Sequence, residues 1–312
     1  MVINKTGKII EDLYMLGHPA IPIYLLDGDR PAIFDAGISC LGEIYAAEIK
    51  KVLGQRKPGY CFLTHSHFDH CGAVSALKNN FPSLQVISSS KARKILARPN
   101  AIALIRELNH SAGLSLKELG IEFHASANFE PFEIDDTVGN GEVIKPAKGF
   151  TVCAFETPGQ TWDCLSYFIP EKKVLFSSEA GGQPDLTGYI FSECLADCDE
   201  YHQSMKLLGR LDFDVICLGH LFVYTGQDSR KYMRDSIAEH GNFRKLVETS
   251  LIEENWDIDR VKKRIKAFEY DSNPGPKQIE SAYLLNLEAR IKAVQNQMAK
   301  TPNSTIQIQK MH

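Results

Sequence analysis

Residues 64–72 have the sequence THSHFDHCG, which places three histidines and one aspartate within six positions. The run follows a buried-strand pattern. If His65 and His67 continue that strand, their side chains point to one side, because strand side chains alternate with a period of two. Asp69 and His70 fall where the chain turns into the next helix. A lone histidine is usually a surface or core residue, but this cluster of ligand-type residues predicts a metal site with room for two adjacent ions.

The residues before and after this run alternate between strand and helix patterns. Residues 21–29 and 30–37 are β-rich and are separated by turn-forming residues, which predicts a hairpin. Residues 42–54 carry apolar side chains on one helical face and end in glycine, which predicts a helix. Another strand is predicted at 84–88. Strand, helix and strand in this order favour an α/β fold.

The middle of the chain is predicted to be more irregular. Residues 91–119 look like short helices broken by Pro99 and Gly113, and they are interpreted as a helical insertion or lid. Residues 136–180 return to strands separated by turns and predict an antiparallel meander. A helix at 228–249 is expected to be interrupted or locally loosened near Gly241.

The last part of the chain lacks strand patterns. Two amphipathic helices are predicted there, and Tyr283, Leu287, Ile291 and Val294 belong to the apolar stripe of the second. Such a stripe is typical of a face that docks on the main domain or forms a homodimer seam. We therefore predict a core at 1–228, a helical extension at 229–300 and a mobile tail at 301–312.

Composition excludes several functional classes. The chain has 312 residues, 44% of them hydrophobic, and a formal net charge of −4, so no long-range positive field attracts nucleic acid or an anionic membrane. No apolar run approaches the ~18 residues of a membrane span, and the first residues lack a signal-peptide pattern. The eight cysteines are scattered without C-x-x-C pairs and are interpreted mostly as reduced core residues. A cytoplasmic protein with a small-molecule partner is expected.

The HSHFDH run resembles the H-x-H-x-D-H signature of the metallo-β-lactamase fold superfamily. Three further segments resemble later landmarks of that superfamily, namely TPGQT at 157–161, FSSE at 176–179 and LGH at 218–220. The resemblance implies a metallo-β-lactamase αββα sandwich, here with a C-terminal helical extension. It also implies one or two divalent metal ions, with zinc favoured and iron or manganese as alternatives.

The resemblance also implies a ligand set. Site one would consist of His65, His67 and Gln160, site two of Asp69, His70 and His220, and Glu179 would take the place of a bridging aspartate. Gln160 and Glu179 depart from the superfamily pattern. A neutral amide oxygen is a poorer zinc ligand than an imidazole nitrogen, and Glu179 is longer than aspartate by one methylene.

Within the superfamily, the chain is most similar to the thioesterase-like proteins of quinolone-signal biosynthesis. The similarity includes LGHPAIPIYLL at 16–26, FDAGIS at 34–39 and RELNH at 106–110. It implies hydrolysis of an ester-like bond, most favourably a thioester of a small acyl substrate, by a metal-bound hydroxide that Asp69 guides. Two alternatives stay open: a metal-stabilised binding or regulatory protein with vestigial catalysis, and a non-haem iron redox enzyme.

Several other residues are candidates for a role near the site. His18 is a candidate substitute ligand, although a lone loop histidine before proline is more often unrelated to metal. Asp163 is expected at the surface or the edge of the core, although its place just after the Gln160 turn leaves room for a supporting role behind a ligand. Cys71 is interpreted as a small packing residue rather than a nucleophile. The histidines without a partner spacing are expected at the surface or the edge of the core, namely His110, His124, His202 and His240.

Overall fold

The protein is described by a computed structural model that covers residues 1–118, 123, 128–147, 149–274 and 280–300. These residues form two compact units. The first contains residues 1–156, 163–178 and 211–230, and the second contains residues 157–162, 179–210 and the residues from 231 onward. The predicted boundary at residue 228 stays a prediction, and the predicted tail at 301–312 lies outside the described residues.

Short strands and longer helices alternate through most of the chain. The strands are β1 (Val2–Ile3), β2 (Gly7–Ile10), β3 (Leu13–His18), β4 (Ile21–Leu26), β5 (Ala32–Phe34), β6 (Tyr60–Phe62), β7 (Gln85–Ser88), β8 (Asp136–Thr137), β9 (Val143–Ala147), β10 (Phe150–Glu156), β11 (Leu165–Ile169), β12 (Val174–Phe176), β13 (Gln183–Pro184), β14 (Ile190–Phe191), β15 (Val215–Cys217) and β16 (Val223–Thr225). The helices are α1 (Gly42–Leu53), α2 (Phe68–Cys71), α3 (Val74–Asn80), α4 (Ser90–Leu96), α5 (Pro99–Glu118), α6 (Cys198–Gly209), α7 (Gln227–Glu253), α8 (Ile258–Lys266) and α9 (Glu280–Lys300).

The first unit is built on two sheets, each with seven strands among the described residues. One sheet has the order β2-β3-β4-β5-β6-β7-β8, antiparallel up to β5 and parallel from β5 to β8. The other has the order β1-β16-β15-β12-β11-β10-β9 and is antiparallel except between β12 and β15. The predicted hairpin of β4 and β5 and the predicted meander of β9 to β12 are both confirmed.

Apolar side chains from both sheets form the core between them. Phe34 of β5 stacks on Phe176 of β12 with ring centroids 3.7 Å apart, and Phe62 of β6 stacks on Phe34 at 5.3 Å. The opposite face of the first sheet packs against helices, with Ile33 in the same buried cluster as Tyr45 of α1. Fully burying such side chains stabilises the fold by about 1.5–3 kcal/mol each. The predicted α/β class is confirmed, with two sheets packed face to face and helices on the outer face of the first sheet.

The predicted helix break at Pro99 is confirmed, because α4 ends at Leu96 and α5 begins at Pro99. Pro99 is the first residue of α5, where its missing N–H has no intrahelical partner to lose. Gly113 lies inside α5 and Gly241 inside α7, and both helices continue through them. The predicted interruptions at these glycines were wrong, because an interior glycine costs a helix only about 1 kcal/mol, which tertiary packing readily offsets.

The second unit contains the predicted C-terminal helical part. Tyr283, Leu287, Ile291 and Val294 are all buried within this single chain. On the same helix, the Arg290 guanidinium forms a buried ion pair with the Glu269 carboxylate at 3.0 Å. The stripe is therefore used inside the protein, while a homodimer stays a prediction.

The described helices are not of the membrane-spanning type. None of them combines the length and the apolar character needed to cross a membrane.

Candidate metal centre

The parallel strands β5, β6 and β7 end at one edge of the first sheet, and the chain leaves each of them in a polar loop. Phe34 pairs with Phe62, and Phe62 pairs with Ile87, so the three strand ends are level. Asp35 follows β5 directly, and Thr64 and His65 follow β6. Because carboxyl ends of parallel strands meet at the same edge, this topology brings the two loops together.

The HSHFDH run turns tightly after β6. His65 is fully buried, and His67 immediately precedes the four-residue helix α2, which contains Asp69 and His70. The ring centroid of His65 lies 4.5 Å from that of His67 and 4.3 Å from that of His70. The three imidazoles of the run are therefore neighbours in space.

His220 joins this cluster from the other sheet of the same unit. It follows β15, and its ring centroid lies 5.3 Å from that of His70. Its Nδ1 lies 2.6 Å from the carbonyl oxygen of Ala20, so Nδ1 carries the proton and Nε2 has the lone pair. Nε2 faces Asp69 Oδ2 at 3.5 Å. Two residues from distant parts of the sequence are thus adjacent in the unit.

Asp35 supports the cluster from behind, a role that the sequence analysis did not assign. Its carboxylate accepts hydrogen bonds from the Thr64 N–H at 2.8 Å and the Thr64 hydroxyl at 2.9 Å. The same carboxylate lies 2.9 Å from His70 Nδ1 and accepts its proton, which puts the lone pair of His70 on Nε2. A carboxylate behind a histidine is the usual way in which proteins orient a metal-ligating imidazole.

The backbone of Asp35 is strained in the conformation that brings its carboxylate to His70. Its φ is 58°, in the left-handed region that a residue other than glycine rarely adopts. The adjacent amides fix the loop, because the Ala36 N–H donates to the carbonyl of His70 at 2.7 Å, and the Gly72 N–H donates to that of Gly37 at 2.8 Å. The FDAG segment could have been noticed in the sequence as an aspartate directly after a buried strand, but only the parallel pairing shows that it reaches His70.

Asp163 holds the other side of the turn, the supporting role that the sequence analysis left open, while its expected position at the surface or the edge of the core was wrong. The residue is buried, and its Oδ2 accepts from the Ser66 N–H at 2.8 Å. Its backbone carbonyl accepts from the Ser89 hydroxyl at 2.8 Å. The backbone between His65 and His67 is therefore fixed by a carboxylate that lies just before β11.

Gln160 and Glu179 belong to the second unit. Gln160 is 5% exposed and follows Gly159, which has a φ of 130° and lies so close to Tyr201 that an added Cβ would come within 2.3 Å of backbone atoms there. Glu179 is 3% exposed, and its backbone carbonyl accepts from the Tyr201 hydroxyl at 2.7 Å. Their roles as metal ligands stay predictions.

The remaining histidines and Cys71 divide into several groups. His18 ends β3, and burial lowers its pKa below the usual value. His110 is exposed and His202 half-buried, as expected, but His240 is 1% exposed, so its predicted peripheral position was wrong. His124 lies outside the described residues. Burial raises the pKa of the Cys71 thiol well above its usual range, which agrees with a packing residue rather than a nucleophile.

Comparison with known proteins agrees with this architecture. The sequence profile of the metallo-beta-lactamase superfamily matches residues 17–220. A metallo-beta-lactamase family protein from Thermus thermophilus has a similar structure, with a TM-score of 0.60 and 18% identity over 93% of this chain and 94% of that one. An archaeal metallo-beta-lactamase superfamily protein from Sulfolobus tokodaii gives a TM-score of 0.56 and 16% identity over 91% of this chain and 98% of that one.

A larger enzyme shares the fold as well. The stereoselective inverting sec-alkylsulfatase Pisa1 from Pseudomonas sp. gives a TM-score of 0.63 and 15% identity over 95% of this chain. The match spans 50% of the sulfatase. At these identities the structural likeness concerns the fold alone, and the substrate has to be argued from the site.

Proposed function

Because the chain belongs to the metallo-beta-lactamase superfamily, we propose that it is a metal-dependent hydrolase of an ester-like bond, with a thioester as the favoured substrate. One observation carries this proposal: Asp69, His70 and His220 present donor atoms that all lie within 4.8 Å of one another. Superfamily members are generally metallo-hydrolases, which supports the proposal that this chain is an enzyme. The thioester rests on the sequence similarity to the quinolone-signal thioesterase-like proteins.

The residues of this cluster fit a divalent cation. His70 and His220 both donate through Nδ1, to Asp35 and to the Ala20 carbonyl, so each offers Nε2 in the tautomer that a metal requires. Asp69 adds a carboxylate oxygen, and these nitrogen and oxygen donors suit zinc, iron or manganese. We propose His65 and His67 as further ligands, with Gln160 and Glu179 completing the set.

Hydrolysis would add one water across the acyl–sulfur bond and release a carboxylic acid and a thiol. A divalent cation, when bound, supplies Lewis acidity for the carbonyl and acidifies water. Asp69 would orient the attacking water and accept its proton at Oδ2, which His220 Nε2 faces. Asp35 would keep His70 in position throughout the reaction without touching the substrate.

Gln160 and Glu179 support a second candidate function. Both side chains are buried, yet each departs from the ligand type that the superfamily pattern has at its position. Losing an imidazole weakens a metal site, so a metal-stabilised binding or regulatory protein with vestigial catalysis is the alternative. A non-haem iron redox enzyme is a further alternative with the same donor atoms.

The experiment begins with elemental analysis of protein purified without added metal. The protein is then assayed against acyl thioesters, with lactones, β-lactams, alkyl sulfates and phosphoesters as competing substrates. We expect thioester turnover that depends on bound metal and that Asp69→Ala reduces by at least about a thousandfold. The control is Asp29→Ala, which removes an exposed carboxylate of the same unit.

Two results would overturn the proposal. Full activity of Asp69→Ala would remove the assigned role of that carboxylate. Bound metal without turnover of any substrate in the series would favour the binding protein instead. Gain of turnover in Gln160→His would strengthen that alternative, because it would show that the missing imidazole is what the natural chain lacks for catalysis.

A further inference from the structure

The second unit contains a cluster of metal-ligating side chains that takes no part in the proposed hydrolysis. Cys194 lies in the loop after β14, Cys198 is the first residue of α6, and His240 lies near the middle of α7. Cys194 and Cys198 are fully buried and His240 is 1% exposed. Their sulfur and nitrogen atoms all lie within 4.8 Å of one another.

The hydrogen bonds around this cluster are compatible with the tautomer of His240 that a metal at Nε2 requires. The Ser192 hydroxyl lies 3.6 Å from Cys194 Sγ and can donate its single proton to that sulfur. Ser192 Oγ also lies 2.7 Å from His240 Nδ1, and in the arrangement in which the hydroxyl proton points to Cys194 it accepts the proton of that nitrogen. This places the lone pair of His240 on Nε2, which faces Cys198 Sγ at 3.9 Å.

These distances are close to those of a zinc site. Bond lengths of about 2.0–2.1 Å to nitrogen and about 2.3 Å to sulfur, at tetrahedral angles, separate neighbouring ligand atoms by roughly 3.5–3.8 Å. The 3.9 Å between Cys198 Sγ and His240 Nε2 requires only a small contraction. Two thiolates and one neutral imidazole also balance the charge of a divalent cation, which a fully buried site requires.

A further imidazole stands beside the three ligands. His202 is one helical turn after Cys198 on α6, and its ring stacks on that of His240 with centroids 5.3 Å apart. Its Nδ1 is buried and has no hydrogen-bond partner among the described residues. A tetrahedral site needs a fourth ligand, and His202 can supply it by a change of rotamer.

We propose that Cys194, Cys198 and His240 bind a zinc-type divalent cation in a closed structural site, with His202 as the fourth ligand. The cation would connect the loop after β14 to the start of α6 and to the middle of α7. Soft thiolate ligands select zinc over magnesium, calcium or manganese. The site has no role in substrate turnover and does not depend on the proposed hydrolysis.

The test uses cobalt(II) as a spectroscopic substitute for zinc in the full-length protein. Thiolate ligation gives a sulfur-to-cobalt charge-transfer band in the near ultraviolet, which the nitrogen and oxygen ligands of the first unit cannot produce. We expect this band in the wild-type protein and in Asp69→Ala. We expect its loss in Cys194→Ser and in Cys198→Ser, and its retention in the control Cys153→Ser, which removes a half-buried thiol of the first unit.

The wild-type spectrum decides the question even if a cysteine variant fails to fold. Folded wild-type protein that takes up cobalt without a thiolate band would overturn the proposal. A disulfide between Cys194 and Cys198, found by mass spectrometry without reduction in freshly purified protein, would overturn it as well. A band that Cys153→Ser also removes would assign the sulfur ligand elsewhere and would equally refute the site.

Discussion

The two clusters differ in exposure and in ligand chemistry. In the cluster of the first unit, the side chains of His220 and Asp69 are 13% and 19% exposed, and the donors are nitrogen and oxygen. In the cluster of the second unit, every donor is buried, and two of the three are sulfur. An open site with hard and borderline ligands can admit a substrate, whereas a closed thiolate site can only hold an ion. The comparison therefore sets a centre that we propose for hydrolysis beside one that we propose to stabilise the fold.

Metal removal should give the largest difference between the two clusters. A chelator reaches the open cluster first, so we expect hydrolysis to fall by at least about a thousandfold while the thiolate band of cobalt-loaded protein persists. Activity and absorbance measured in parallel after addition of the chelator check this order. Simultaneous loss of both signals would mean that the clusters are equally accessible and would break the comparison.

A smaller effect is expected from Asp35→Asn in the first unit. The carboxamide keeps the shape of the side chain but turns an N–H donor toward His70 Nδ1, which favours the wrong tautomer of the imidazole. We expect metal affinity or activity to decrease about 10–100-fold, with little change in fold. Metal titration followed by a thioester assay measures both. Asp29→Asn is the matched control, and an unaltered Asp35→Asn protein would show that the contact with His70 is only structural.

Ser192→Ala is the equivalent change in the second unit. Without the Ser192 hydroxyl, His240 Nδ1 loses its acceptor, and the orientation of the ring is less well fixed. We expect cobalt affinity at the thiolate cluster to fall by about tenfold, with hydrolysis unchanged. Titration of the charge-transfer band gives the affinity. A decrease in hydrolysis with an unchanged charge-transfer band would contradict the assignment of separate roles to the two clusters.

The smallest effect concerns His18 and acid. Burial lowers the pKa of His18, so the unfolded chain takes up a proton below about pH 6.5 that the folded protein resists. The free energy of unfolding therefore includes a contribution that is present above this pH and is lost as the pH falls. In His18→Gln, the decrease in melting temperature between about pH 7.5 and about pH 5.5 should be smaller than in the wild type. An equal decrease would show that His18 is not part of this acid response.

Local patterns predicted much of the fold. The hairpin of β4 and β5, the meander of β9 to β12 and helix α1 follow from hydrophobic periodicity and turn residues within a few positions. The helix breaks at Gly113 and Gly241 were wrong because periodicity and propensity do not include the packing that keeps a helix intact. The HSHFDH run was visible because its ligand-type residues are adjacent in the sequence.

The contacts that were missed connect distant parts of the chain. Asp35 reaches His70 only because β5 and β6 pair in parallel, and strand pairing of this kind has no local signature. Cys194, Cys198 and His240 form no short motif, since the histidine follows 42 positions after Cys198. Such a cluster becomes visible only once helices α6 and α7 are placed.

The left-handed backbone of Asp35 has a consequence for the order of folding. Such a conformation costs roughly 1–3 kcal/mol, and it is offset only when Thr64 and His70 occupy their final positions. Closing one loop alone does not offset this cost. We therefore expect the loop with Asp35 and the loop with Thr64 and His70 to form together, after the parallel strands have paired. Substitutions there would then speed unfolding more than they slow refolding.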